Sequence, residues 1–161
     1  MDTLTDHLAP FGARAPLEAD AAFLARLYAS TRQDLLGFAD PAQAAPLIAM
    51  QQRLQTAGYL ASFPEAQYLI LQHGGEPAAR IVVDQDPGRI RLVDIAVVPE
   101  ARGRGFGTAI LRALQQWSAA RGLPMVLAVH HSNPAARRLY VTLGFQPESA
   151  DAVSTQLRWH G

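Results

Sequence analysis

Seven residues, Arg102-Gly103-Arg104-Gly105-Phe106-Gly107-Thr108, separate an apolar run ending Val97-Val98-Pro99 from an amphipathic stretch that begins near Thr108. A glycine-rich turn from strand to helix restricts what the backbone can do. Glycines at 103, 105 and 107 admit positive φ and let successive N–H groups turn inward, and the following helix brings the positive end of its dipole to the same point. The expectation is an anion cradle suited to a diphosphate. A Walker A loop is excluded, because the Gly-Lys-Ser/Thr ending is missing and the segment holds no lysine. A dinucleotide fingerprint fits poorly, since the glycines alternate instead of following Gly-x-Gly-x-x-Gly. A plain structural turn remains the alternative.

A second segment, Asn133-Pro134-Ala135-Ala136-Arg137-Arg138-Leu139-Tyr140-Val141-Thr142-Leu143-Gly144-Phe145, follows after one expected helix and one expected strand. Together, the pattern Arg102-x-x-Gly105-x-Gly107 and the later Asn, Ala, Leu-Tyr and Leu-Gly-Phe order resemble the two signatures of the GCN5-related N-acetyltransferase (GNAT) superfamily. The resemblance runs from about Tyr68 to Phe145 and more loosely to the ends of the chain. It implies a single GNAT domain over residues 1–161: an α/β fold with a mixed, mostly antiparallel central sheet flanked by helices on both faces. It also implies acetyl-coenzyme A as acetyl donor; no metal is expected, because the chain has no cysteine and its adjacent His130 and His131 face opposite sides of a strand.

At 161 residues, 49% of them apolar, the chain has the size and core of one ordinary domain. Fourteen basic and fourteen acidic side chains cancel, so neither a nucleic-acid backbone nor an anionic membrane is the expected main partner. Local charge is more informative: Arg102 and Arg104 in the loop, and Arg137 and Arg138 on the later helix, are candidates to meet phosphates. The absence of cysteine excludes a disulfide framework, a thiolate zinc site and a cysteinyl acyl-enzyme, which leaves direct transfer as the simpler mechanism. With no basic-then-apolar leader and no run of about eighteen apolar residues, a soluble, cytoplasmic protein is expected, as monomer or homodimer.

Phe11 to Ala15 reads as a short first strand, Asp20 as the N-cap of a helix carrying Phe23, Leu24, Leu27 and Tyr28, and Pro41 to Ala57 as a second helix stopped by Gly58. Tyr68 to Gln72, Ala79 to Asp84 and Ile90 to Val98 read as an antiparallel meander joined by His73-Gly74-Gly75-Glu76 and Gln85-Asp86-Pro87-Gly88. Then follow a helix from Thr108 to Arg121, an apolar strand from Met125 to Val129 covered on both faces, a helix from Pro134 to Leu143, and a closing strand from Ala152 to Trp159. The resemblance implies that the strands flanking the glycine loop and its helix splay apart. The pantetheine arm would enter that gap and bond to the backbone of Ile95, Ala96 and Val97.

Acetyl transfer to an amine needs a neutral nucleophile, oxyanion stabilisation and a proton for the leaving thiolate. The resemblance makes Tyr140 that acid, and a phenol with a pKa of about 10 keeps its proton at neutral pH. The alternative is a tyrosine packed beside Leu139 and Leu143. Asn133 suits an N-cap before Pro134, and the family also has it touch the cofactor arm. The glutamate base of relatives that acetylate protein termini is replaced by Ala128, which favours a small-molecule or amino-acid-like primary amine over a protein terminus as acceptor. Asp94, a carboxylate inside Leu92-Val93-Asp94-Ile95-Ala96-Val97, is the candidate base; the alternative is that it pairs with a nearby arginine or tyrosine. His130 is a weaker substitute, and adjacent His130 and His131 cannot jointly hold a metal from one strand. The resemblance implies an acceptor pocket shaped by the first two helices and the loop between them, here Tyr28, Thr31, Arg32, Gln33, Asp34 and Phe38, together with late-chain loops. A coenzyme-A-binding sensor or scaffold without turnover, and a protein amino-terminal or lysine acetyltransferase, are the competing functions.

Overall fold

The structure, a computed structural model, describes residues 2–32 and 40–161. Its elements are α1 (Leu4–His7), α2 (Ala21–Ser30), α3 (Pro41–Ser62), β1 (Gln67–His73), β2 (Glu76–Asp86), β3 (Arg89–Val97), α4 (Phe106–Ala120), β4 (Met125–His130), α5 (Pro134–Thr142), β5 (Gln146–Ala150) and β6 (Ser154–Trp159). The strands form one sheet in the order β1-β2-β3-β4-β6-β5. Every pairing is antiparallel except β3 with β4, which the α4 crossover makes parallel.

The parallel pairing is short. It covers Ile90 to Leu92 against Met125 to Leu127, yet β3 runs on to Val97 and β4 to His130. The cause lies on the other side of β3, where Val82 faces Asp94 but Val83 faces Leu92, leaving Val93 as an extra residue. Such a bulge bends its strand and raises the local twist. It also changes which side chains face which layer. Ile90 and Leu92 lie in the core under α4, and after the bulge Ile95 and Val97 take up that face. Asp94, two residues after Leu92, is thereby turned to the opposite face, beside Arg80.

On the α4 and α5 face, Ile110, Leu111, Leu114 and Trp117 pack with Leu69, Ile81, Leu92, Leu127 and Leu157. Leu4 and Leu8 close one end of this core and Tyr140 and Phe145 join it from the later helix. The other face is thinner: Phe23 and Leu27 of α2 cover Ile70, Ala96 and Val98, while α3 packs on α2 through Tyr28, Ala44 and Ile48.

Several boundaries differ from the sequence expectations. Phe11 belongs to a short 3-10 turn, and the expected first strand reduces to one bridge between Arg14 and Ile70. The α1 turn, held by a Thr3–Asp6 capping box, was not anticipated. Asp20 does not cap α2 with its side chain; it accepts from Leu17 N at 2.7 Å and pairs with both terminal nitrogens of Arg14 at 2.7 and 2.9 Å. Helix α3 runs through Gly58 and ends only at Ser62, because Phe63 leaves helical conformation ahead of Pro64. β4 is buried from Met125 to Leu127, but Ala128 is exposed where β3 has departed. The closing strand starts at Ser154, and β5, fully exposed and without apolar alternation, was missed. No helix of the described residues is long and apolar enough to cross a membrane.

Arg14 and the backbone of Leu17 hold the buried Asp20 carboxyl down at about 2, against an ordinary 3.8. The folded-state pKa is the lower one, so the pair's stabilisation is complete above pH 3.8 and disappears as pH falls through about 2. Thermal melts of Asp20→Asn are expected to show a lower Tm than wild type at pH 6, with the gap narrowing as pH is lowered through that window.

Candidate active site

The chain leaves β3 through a 3-10 turn at Pro99–Ala101 and reaches α4 by way of Gly103 (φ 72°) and Gly105 (φ 77°). Both positive values are open only to glycine at little strain. Gly105 is the N-cap of α4 and offers no side chain to its first turn. The N–H groups of Phe106, Gly107 and Thr108 therefore point outward with the helix dipole behind them. A Cβ built on Gly103, Gly105 or Gly107 would meet no described residue within 4 Å, so the side-chain positions of the loop are uncrowded. The residues fit a diphosphate. Helix α4 begins two residues earlier than expected, and Gly107 has ordinary helical geometry in place of positive φ.

The side chains of this segment divide their work. Phe106 is buried, its ring edge-on to Phe11 at 5.3 Å and His73 at 5.7 Å, and so anchors the start of α4 in the core. Arg102 folds back, donating from Nε to Val97 O at 2.9 Å and from a terminal nitrogen to Ser30 Oγ at 3.0 Å. It ties the end of β3 to α2. Arg104 and Arg138 are exposed.

Beside the cradle, the gap between β3 and β4 is a cavity of about 140 Å³ lined among others by Asp94, Ile95, Ala128, His130, Asn133 and Tyr140. Val98 N donates to Ala78 O at 2.8 Å, and antiparallel alternation from that bond turns Ala96 toward β2 and leaves Ile95 and Val97 facing the gap. Val97 O accepts from Arg102, so the open groups are those of Ile95 and the Val97 N–H.

Tyr140 is 8% exposed and stands edge-on to Phe145 at 5.8 Å. Burial, and then the negative charge of Asp94, push its hydroxyl up to about 12. Asn133 Oδ1 accepts from Ala136 N at 3.2 Å as the cap of α5, which leaves its amide N–H groups unused by the cap. His130 Nδ1 accepts from Ser132 N at 3.0 Å, so its neutral ring carries the proton on Nε2 and donates there. His131 turns to Thr155 Oγ1 at 3.1 Å. Among the described residues no group of three or more potential ligands could hold a metal ion.

On the α2 and α3 face, a second cavity of about 200 Å³ shares Asp94, Ile95 and Asn133 with the first. Leu24, Leu27, Tyr28, Thr31, Gln55, Arg80 and Ala96 complete its wall. Asp94 forms an ion pair with Arg80, which also lies 3.4 Å from Gln55 Oε1. Tyr59, half-buried, has its hydroxyl pushed upward by partial burial and by the Asp94 charge. Of the expected acceptor surroundings, Tyr28 and Thr31 line this cavity, and Gln33, Asp34 and Phe38 lie outside the described residues. Sequence reasoning missed Arg80. A cation inside the apolar run Ala79 to Asp84 was the available signal, read for Asp94 but not for its partner.

The sequence profile of the acetyltransferase (GNAT) family matches residues 24–145, a stretch that contains the cradle, the gap and Tyr140. The chain belongs to the GNAT family. It is 32% identical over 91 residues to an uncharacterized N-acetyltransferase of Methanocaldococcus jannaschii, covering 55% of this chain and 58% of that protein. A Bacillus subtilis relative, also an uncharacterized N-acetyltransferase, is 42% identical over 59 residues, 36% of this chain and 24% of that one. The chain thus spans less than two thirds of the length of these relatives. In fold, this GNAT protein resembles the PaiA N-acetyltransferase of Thermoplasma acidophilum, solved in complex with coenzyme A, with a TM-score of 0.69 at 15% identity over 92% of this chain and 98% of that one. The Escherichia coli ribosomal-protein-S18-alanine N-acetyltransferase gives 0.54 at 25% identity over 59% and 68%. The expected GNAT fold, a mostly antiparallel sheet with helices on both faces, is the one observed.

Because the Tyr140 hydroxyl is held up at about 12, it is expected to stay neutral in the folded protein at pH 10.5. Ultraviolet tyrosinate titration of wild type and Tyr140→Phe should coincide up to that pH, provided near-ultraviolet circular dichroism remains native. An extra tyrosinate in wild type near pH 10 would contradict the assignment.

Proposed function

We propose that the protein is an acetyl-coenzyme A-dependent N-acetyltransferase that moves the acetyl group directly to a primary amine in a ternary complex. The observation that carries this reading is the opened gap between β3 and β4, with the anion cradle at its end and Tyr140 and Asp94 on its walls. We read residues 1–161 as one such domain, working in the cytoplasm as monomer or homodimer without metal, nucleic acid or membrane.

Backbone N–H groups at Gly103 to Thr108 bind the diphosphate, with Arg104 and Arg138 close enough in sequence to the two helix N-termini to add charge. Asn133 contributes its free amide donors, and Ile95 and Val97 offer backbone groups to the pantetheine arm. The donor, when bound, supplies an activated acetyl thioester. Asp94 takes one proton from the acceptor ammonium, so that the neutral nitrogen can form its bond to the carbonyl carbon as the carbon–sulfur bond breaks. An open N–H on the β3 edge faces the developing oxyanion. Tyr140 gives its proton to the departing sulfur and regains one from the new amide nitrogen. One proton is released overall.

A coenzyme-A-binding module without turnover is the second reading, and the observation in its favour is that Asp94 is committed to Arg80. A protein terminus as acceptor is disfavoured by Ala128 and by the small size of the Asp94 cavity.

Acetyl-coenzyme A at a hundred times its dissociation constant is expected to stabilise the protein by about 2.7 kcal/mol, a thermal shift of roughly 5 to 10 °C; 3′-dephospho-coenzyme A and ATP serve as comparisons. No shift in a folded protein would remove the donor reading. Tyr140→Phe is expected to keep the shift and lower acceptor-dependent thiol release by about 10²–10⁴-fold, the usual range for a general acid. Reproducible acceptor-dependent release would exclude the binding-only module, and full activity of Tyr140→Phe would reassign the acid.

A further inference from the structure

The cavity beside Asp94 has an unusual charge plan. Among the described residues, its wall holds one anion, Asp94, and one cation, Arg80, and these two are already paired. The remainder is apolar (Leu24, Leu27, Ile95, Ala96) or uncharged and polar. A polycationic amine would bring two or more positive charges to a single carboxylate that is already shared. A ligand carrying one charge of each sign fits this wall without leaving either partner unmatched.

Two orphaned donors sharpen the point. The Arg80 side chain is 11% exposed, and its Nε is buried with no hydrogen-bond partner among the described residues. The Tyr68 hydroxyl, on the same sheet face, is likewise buried without a partner among the described residues. Tyr68 lies opposite Val82, which lies opposite Asp94, so Tyr68, Val82 and Asp94 form one cross-strand row, adjacent to the row of Ile70, Arg80 and Ala96 on the same sheet face. Buried donors are nearly always satisfied, and the group that best matches an unpaired guanidinium N–H in the cavity wall is a carboxylate.

Resting on the transferase reading, we propose that the acceptor is a free α-amino acid with an apolar side chain. Arg80 holds its carboxylate, Asp94 receives its ammonium, and Leu24 and Leu27 cover its side chain. The arrangement has a chemical consequence. In the ligand-free protein Asp94 is neutralised by Arg80, but the incoming carboxylate draws on the same guanidinium and frees Asp94 to take the ammonium proton. Asp94 also lines the Tyr140 cavity, so the nitrogen is deprotonated beside the gap where the thioester is expected.

The test compares three probes that share one side chain: leucine, leucinamide and 3-methylbutylamine, with spermidine as a polycation, all read by thiol release from acetyl-coenzyme A. The expected result is a kcat/KM for leucine at least tenfold above each of the others. Arg80→Lys keeps the positive charge but loses the Nε donor. It is expected to raise KM for leucine at least tenfold and to shrink the leucine-over-3-methylbutylamine preference in kcat/KM by a similar factor, while the thermal shift given by acetyl-coenzyme A stays in place. Equal or better turnover of leucinamide, the amine or spermidine overturns the proposal while the transferase stands. So does turnover of none of the four when acetyl-coenzyme A still gives its thermal shift. Absence of that shift removes the donor reading itself.

Discussion

The extra residue at Val93 is the constraint on which the site depends. Without it, β3 would keep its register against β2, remain parallel to β4 along its length, and point the Asp94 carboxylate into the apolar layer under α4. With it, the parallel ladder ends at Leu92 and Leu127, and the backbone edge of β3 beyond that point is left for another partner. Buried strand edges do not stay unpaired at little cost. Here the open stretch is confined to a few residues and lies between the start of α4 and the start of α5, the two places where helix dipoles gather positive potential.

The two faces of the sheet then take separate tasks. The α4 and α5 face has the heavier core and carries the cradle and Tyr140; the α2 and α3 face is thinner and carries Arg80 and Asp94. Arg102 joins them, since one guanidinium bonds both the last carbonyl of β3 and Ser30 at the end of α2. Donor and acceptor would therefore approach from opposite sides and meet through the gap, in keeping with direct transfer and with a chain that has no cysteine to carry an acyl group.

What the sequence made legible was local chemistry. The glycine loop, the Asn133-Pro134 helix start and the two hairpin turns each rest on backbone preferences of a few adjacent residues, and each lies where it was expected within a residue or two. What escaped was set by distant contacts. Nothing in Leu92-Val93-Asp94-Ile95 marks a bulge, because a continuous apolar run has no alternation to break. Arg80 meets Asp94 only through the β2–β3 register. Gly58 failed as a stop because it keeps ordinary helical φ inside α3, and one glycine's propensity costs a helix too little to end it. The polar strand β5 is defined by its neighbour β6 and not by its own pattern.

The burial of Tyr140 divides the chemistry between the two sides of the gap. A hydroxyl held at about 12 keeps its proton across the whole physiological range, so in the proposed role of Tyr140 the leaving-group side of the reaction would be indifferent to ambient pH. Under the proposed mechanism the rate–pH profile would then follow the acceptor side alone: the acceptor amine and the α2 and α3 face that receives it. Tuning such an enzyme to a new acidity, by selection or by design, is a matter of altering the α2 and α3 face while leaving α5 untouched.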